Sequence, residues 1–108
     1  MGTFTYDGWS IEFEDRILAH LQLVIIQRLR RQESFAVSWL DALSAGDGRS
    51  SIWLHPAALM YFRFAGSKQP TLDGDWIHRL NESAKSSLGL IVTTEDGRVA
   101  RSLSTKRM

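Results

Sequence analysis

The chain has 108 residues, of which 44% are hydrophobic and 23% charged, and it has no cysteine. This is the composition of one folded domain; it excludes a disulfide framework, a thiolate nucleophile, a zinc–thiolate site and disorder over most of the length. The net charge of +1 is unevenly spread: residues 1–96 carry nine basic and twelve acidic side chains, whereas Gly97 to Met108 carry Arg98, Arg101, Lys106 and Arg107 and no acid, the reverse of the balance usual in a folded nucleic-acid binder.

Residues 3–6 and 9–14 predict a hairpin around Asp7-Gly8, a dipeptide suited to a turn with positive φ at both positions. This register puts Phe4, Tyr6, Trp9, Ile11 and Phe13 on one face and Thr3, Thr5, Ser10, Glu12 and Glu14 on the other. Asp15 is the expected N-cap of a helix reaching to about Arg31. Its residues Ile17, Leu18, Leu21, Val24, Ile25, Ile26 and Leu29 cover more than half the circumference. His20 falls on the polar arc. Arg28 lies at the edge of the apolar arc, where its stem can pack while its head reaches water. Arg28, Arg30 and Arg31 suit the negative end of the helix dipole.

Residues 34–40, 51–55 and 59–65 read as three strands of an antiparallel meander, with a polar loop at 44–49. Alternation sends Phe35, Val37, Trp39, Ile52, Leu54, Met60, Phe62 and Phe64 to one face. The other face receives Ser38, Ser51, Trp53, His55, Tyr61 and Arg63. A second helix is expected from Asp73 or Gly74 to Ser86, striped by Trp76, Ile77, Leu80 and Ala84. A last strand is expected over Leu88–Thr93. The order ββαβββαβ predicts an α+β fold, a two-layer sandwich with both helices on one face of a mainly antiparallel sheet. Residues 1–96 are expected to form one compact domain and residues 97–108 a flexible basic tail.

The longest apolar stretch is interrupted by Gln22, Gln27 and Arg28, so no membrane span is expected. The N-terminus lacks a signal-peptide layout, and Tyr6 stands where a myristoylation motif needs Ser or Thr. The expected location is the cytoplasm. No cofactor is expected. His20, His55 and His78 lack metal-ligand spacing and are expected to be separate surface or boundary residues. Glu12, Glu14, Asp15, Asp73 and Asp75 have local roles at the hairpin and the helix starts. There is neither P-loop spacing nor a nucleophile elbow, so no catalytic residue is assigned.

The segments Asp15–Gln22, Arg28–Phe35, Ser51–Pro56, Phe62–Ser67 and Trp76-Ile77 run in order through nearly all of residues 2–95. Together they resemble a family of short uncharacterised actinobacterial proteins, a domain of unknown function. Many of its members carry the label "ATP-dependent DNA ligase". A glycine often precedes the Glu-Ser/Pro-Phe step in such proteins; here it is Gln32. A ligase of that type attacks its nucleotide with the lysine of a Lys-x-Asp-Gly motif. The matching positions here are Thr94 and Ala45, which cannot form a lysine phosphoramidate.

The expected function is therefore a non-catalytic interaction module, a homodimer or the partner of another protein. Trp53, Tyr61 and Arg63, with His55 at the rim, are its candidate surface. The alternative is accessory DNA or RNA binding, with bases stacked on that face and phosphates contacted by Arg98, Arg101, Lys106 and Arg107. A third class is an enzyme whose site is assembled from loops.

Overall fold

The computed structural model describes residues 1–107; Met108, the last residue of the expected tail, lies outside the described residues. Strands β1 (Gly2–Tyr6) and β2 (Trp9–Phe13) form the hairpin, with Tyr6 opposite Trp9 and Phe4 opposite Ile11. Asp7 has φ 48° and Gly8 φ 83°, as the two-residue turn requires. Helix α1 (Asp15–Arg30) follows. Its N-cap is Glu14, which makes no side-chain cap bond. Asp15, the expected cap, accepts instead from the backbone N–H groups of Ala65 and Gly66, at 3.2 and 3.0 Å. It thereby ties the start of α1 to a loop about fifty residues away.

Strands β3 (Phe35–Leu40), β4 (Arg49–Leu54) and β5 (Met60–Arg63) come next, then helix α2 (Gly74–Lys85), β6 (Leu90–Ile91) and β7 (Ser104–Arg107). The fold is α+β; the described residues form two α-helices and two mostly antiparallel sheets. One sheet has the order β5–β1–β2–β7 and the other β4–β3–β6. In the second, β3 pairs antiparallel with β4 and parallel with β6.

Two expectations change here. The meander stops after β4, because β5 leaves it and pairs with β1. That pairing stacks Phe62 on Phe4, ring centroids 4.9 Å apart, and sets Met60 opposite Tyr6. Cross-strand aromatic burial rewards this partner. The single sheet is accordingly two. The basic segment expected as a flexible tail contains β7, which pairs with β2. The chain reaches β7 by bonding both sheets in turn. Leu40 N–H donates to Ala100 O at 2.9 Å, Ser102 N–H to Leu40 O at 2.8 Å, and Leu103 N–H to Glu12 O at 2.7 Å.

The core sits between the sheets and the helices. Phe4, Ile11, Phe13, Leu18, Leu21, Ile25, Leu54, Trp76, Leu80 and Leu90 are buried there. Two polar expectations fail for one reason, the packing of α2 and its lead-in across the polar arc of α1. His20 is fully buried, stacked 4.0 Å from the Trp76 ring. Its Nδ1–H donates to Arg16 O at 2.7 Å, and its Nε2 accepts from Asp73 N–H at 2.9 Å. Arg28 is buried too, and its guanidinium donates to Glu33 and to Asn81 O, each at 3.3 Å.

Candidate interaction surfaces

Trp53 lies on the outer face of the three-stranded sheet, opposite Ala36, and is 61% exposed. Beside it is a shallow hollow of 380 Å³ edged by Glu33, Lys85 and Gly89. The centre of the face is flat: Ser38 and Ser51 share a hydrogen bond of 2.7 Å between their hydroxyls. Beyond them Leu40, Leu88, Ile91 and Val99 line a second hollow of 410 Å³, in which Arg49 is the one ionisable side chain.

Leu88 is 73% exposed. Regular alternation would have turned it inward with Leu90 and Val92. Gly89 breaks the alternation with φ 81°. A Cβ at Gly89 would sit 2.6 Å from Ala36 O, so the approach of this turn to β3 requires glycine. The Leu-Gly-Leu step is the sequence signal that could have revealed Leu88; Ile91 and Val99 carried none beyond hydrophobicity.

Tyr61 and Arg63 lie on the other sheet, on the outward side of β5, opposite Thr5 and Thr3. Tyr61 shares a hollow of 420 Å³ with His55, Leu59 and the Asp7-Gly8 turn. The structure thus brings His55 and Tyr61 together and separates both from Trp53. Arg63 borders neither hollow. The link between the groups is Tyr6, whose hydroxyl donates to Trp53 O at 2.9 Å and whose ring stands edge-on to His55. Burial raises the Tyr6 phenol pKa above its ordinary value, so this hydroxyl remains a donor at neutral pH.

The four basic residues of the C-terminal segment are dispersed. Arg98 pairs with Asp96 at 3.4 Å. Arg101 donates to Asp41 O and to Asp47, at 2.9 and 3.1 Å. Arg107 lies over the Trp9 ring, 5.3 Å from its centroid. Lys106 is exposed on β7.

A hollow of 630 Å³, larger than those above, is a trough between the end of α1 and the length of α2, lined by Arg28, Arg30, Arg31, His78, Glu82 and Lys85 among others. Arg28 and Lys85 are matched within the chain, whereas Arg30 and Arg31 are in no ion pair among the described residues, so the trough is net basic. Glu82 stands 3.8 Å from His78 and 3.7 Å from Lys85, and Glu33 faces Arg28. Among the described residues, no group of three or more His, Asp or Glu side chains is placed to hold a metal ion. No helix there is long and apolar enough to cross a membrane.

Residues 1–95 match the family model described as Domain of unknown function (DUF7882). The chain belongs to that family. No curated protein and no solved structure matches it.

Proposed function

We propose that this family member is a non-catalytic interaction module that self-associates, using the outer face of the three-stranded sheet around Trp53. One observation carries the reading. The face joins exposed Trp53, Leu88 and Val99 across a flat, uncharged centre. Among the described residues nothing packs over them, and 61% of the Trp53 surface is open. Exposed apolar surface of this kind marks protein–protein contact, and a central tryptophan is a common anchor of such contacts. A nucleic-acid surface needs cations to replace the counterions of the phosphates, and this face offers Arg49 alone with Lys85 at the margin.

Accessory DNA or RNA binding, the role suggested by the ligase label of similar proteins, would draw on other parts of the surface. Arg98 and Arg101 are already held by carboxylates, which favours the apolar face. Sedimentation velocity over a hundredfold concentration range tests the proposal. The expected result is a concentration-dependent mass, with the dissociation constant of Trp53→Ala raised by about tenfold or more, the range of a hot-spot truncation. A monomer at every concentration would overturn the reading. Tight, steeply salt-dependent binding of single-stranded or nicked DNA would put the nucleic-acid reading in its place.

A further inference from the structure

The hydrogen-bond phase of β4 shows which of its backbone groups are free. In an antiparallel ladder the N–H and C=O of one residue point to the same side, and successive residues alternate. Just past the end of β3, Asp41 N–H donates to Gly48 O at 2.9 Å. Residues 41 and 48 are therefore a hydrogen-bonded pair. Stepping by two along the register assigns Ser50, Ile52 and Leu54 to β3 in the same way. Arg49, Ser51 and Trp53 then turn their backbone groups away from β3. Tyr6 agrees with this phase, because its hydroxyl reaches Trp53 O from that side. Among the described residues no strand pairs with this edge of β4.

The side chains on this edge are self-complementary. Arg49, Ser51 and Trp53 are all exposed, on the outer face. With a twofold axis through Ser51, a second β4 running antiparallel would place Ser51 against its own copy. Arg49 of each chain would lie opposite Trp53 of the other. The inward residues Ser50 and Ile52 would also face each other. No like charges meet, and each guanidinium lies beside an indole, an attractive pair. Residues 49, 51 and 53 would all form hydrogen-bonded pairs, because each directs its N–H and C=O to that side; Trp53 O, which already accepts from the Tyr6 hydroxyl, would take the ladder bond on its second lone pair. The other outer edges are poorer templates. That of β7 carries Lys106 and Arg107, and charged edges resist pairing; β6 has two residues, and β5 has four, one of them Arg63.

We infer that two copies of this chain join by antiparallel pairing of β4 with β4 about a twofold axis at Ser51, with Arg49 of each copy against Trp53 of the other. The two three-stranded sheets become one six-stranded sheet with a continuous outer face. An isologous contact of this kind closes at two subunits. The inference rests on the self-association reading and places the contact at the β4 edge of that face, which leaves Leu88 and Val99, on the β6 side, open on the joined outer face.

A charge-swap series tests it. W53R sets arginine against Arg49 of the other copy and should raise the dimer dissociation constant about tenfold or more, since facing like charges repel. Adding R49E sets opposite charges across the axis and should lower the constant about threefold or more below that of W53R, the lost tryptophan keeping it above wild type. Within one chain, positions 49 and 53 are about 13 Å apart along a strand, so the rescue reads the contact between copies. Circular dichroism confirms that both variants are folded; both positions are exposed. A wild type that never associates overturns the self-association reading itself. A wild type that associates while W53R is neutral removes Trp53 from the contact and overturns both readings of the surface; W53R weakened with the double variant unrescued overturns the β4 register alone.

Discussion

Gln32 is the residue whose identity conflicts most plainly with its conformation. It has φ 63° and sits just past the C-cap Arg31. Its N–H donates to Leu29 O at 2.9 Å, and Glu33 N–H donates to Arg28 O at 3.3 Å, the two bonds of a Schellman motif. A left-handed residue with a side chain costs roughly 1–2 kcal/mol relative to glycine. Gln32→Gly is therefore expected to stabilise the fold by about 1 kcal/mol, after the greater flexibility of glycine in the unfolded chain is counted. The thermal midpoint should rise by about 4–8 °C, as calorimetry would show; an unchanged or lower midpoint would count against the strain. Asp73 is the matching device at the start of α2, accepting from the N–H groups of Asp75 and Trp76 at 2.9 and 3.2 Å. The Trp76 N–H leads in holding its carboxyl below the usual range. For Asp15 the Gly66 N–H leads, and for Asp96 the Thr94 hydroxyl. All three are depressed in the folded state. Their stabilisation is thus present above the unfolded pKa near 4 and is lost as pH falls through the lower folded values. Urea midpoints should fall as pH drops below about 4, and Asp73→Asn should make that fall shallower. An unaltered slope would show that the Asp73 cap contributes nothing to it.

At the scale of elements, the C-terminal segment has the largest consequences. Ala100 is fully buried and Ser102 nearly so, and the strand they lead into covers the outer edge of β2. Deleting residues 99–108 removes this ladder and opens the core beside Leu40. The thermal midpoint is expected to drop by roughly 10 °C or more, given 4–8 °C per kcal/mol in a domain this size. A melt that matches the full chain would show the segment to be dispensable. The basic charge of this stretch suggested a solvated tail, yet its short side chains tell more. Ser, Ala and Thr between the cations allow close approach to β3 and β2. Strand β5 makes the same point from the other direction. Its alternation was legible, and Tyr61 and Arg63 do point outward as expected. Its partner was not legible, because a five-residue link at 55–59 serves a hairpin to β4 as well as a crossing to β1.

Over the whole molecule, the two sheets behave as one unit because residues 100–107 bond to both. The Tyr6 hydroxyl adds a second tie, donating from β1 to Trp53 O on β4 at 2.9 Å. Unfolding should therefore be a single transition. Tryptophan fluorescence, which samples Trp9 in one sheet and Trp39 and Trp53 in the other, should coincide with the far-ultraviolet dichroism in urea. Two separated transitions would mean that the sheets unfold independently. Leu54→Ala tests how tightly β4 is held to this unit, since Leu54 is fully buried at its inner end. A loss of about 2–5 kcal/mol is expected, measured by urea denaturation, and a loss below 1 kcal/mol would show a loosely packed site. The interaction surface is an outcome at this scale too. Trp53 was legible as an exposed aromatic, but its neighbours on the face, Leu88 and Val99, come from beyond α2, and Tyr61 and Arg63 belong to another sheet.

The sequence by itself determined the hairpin register, the apolar stripe of α1 except Ile26, which is exposed, the start of α2 at Asp73 or Gly74, and the side of β1 to β5 that avoids water. Each depends on residues a few positions apart, through turn conformation or through periods of two and 3.6. Tertiary structure alone decided that β5 joins β1, that there are two sheets, that His20 and Arg28 are buried, and that Trp53 stands apart from Tyr61. Those outcomes depend on contacts such as Phe4 with Phe62 and His20 with Asp73. Periodicity reports whether a side chain leaves water, and leaves open which distant element removes it.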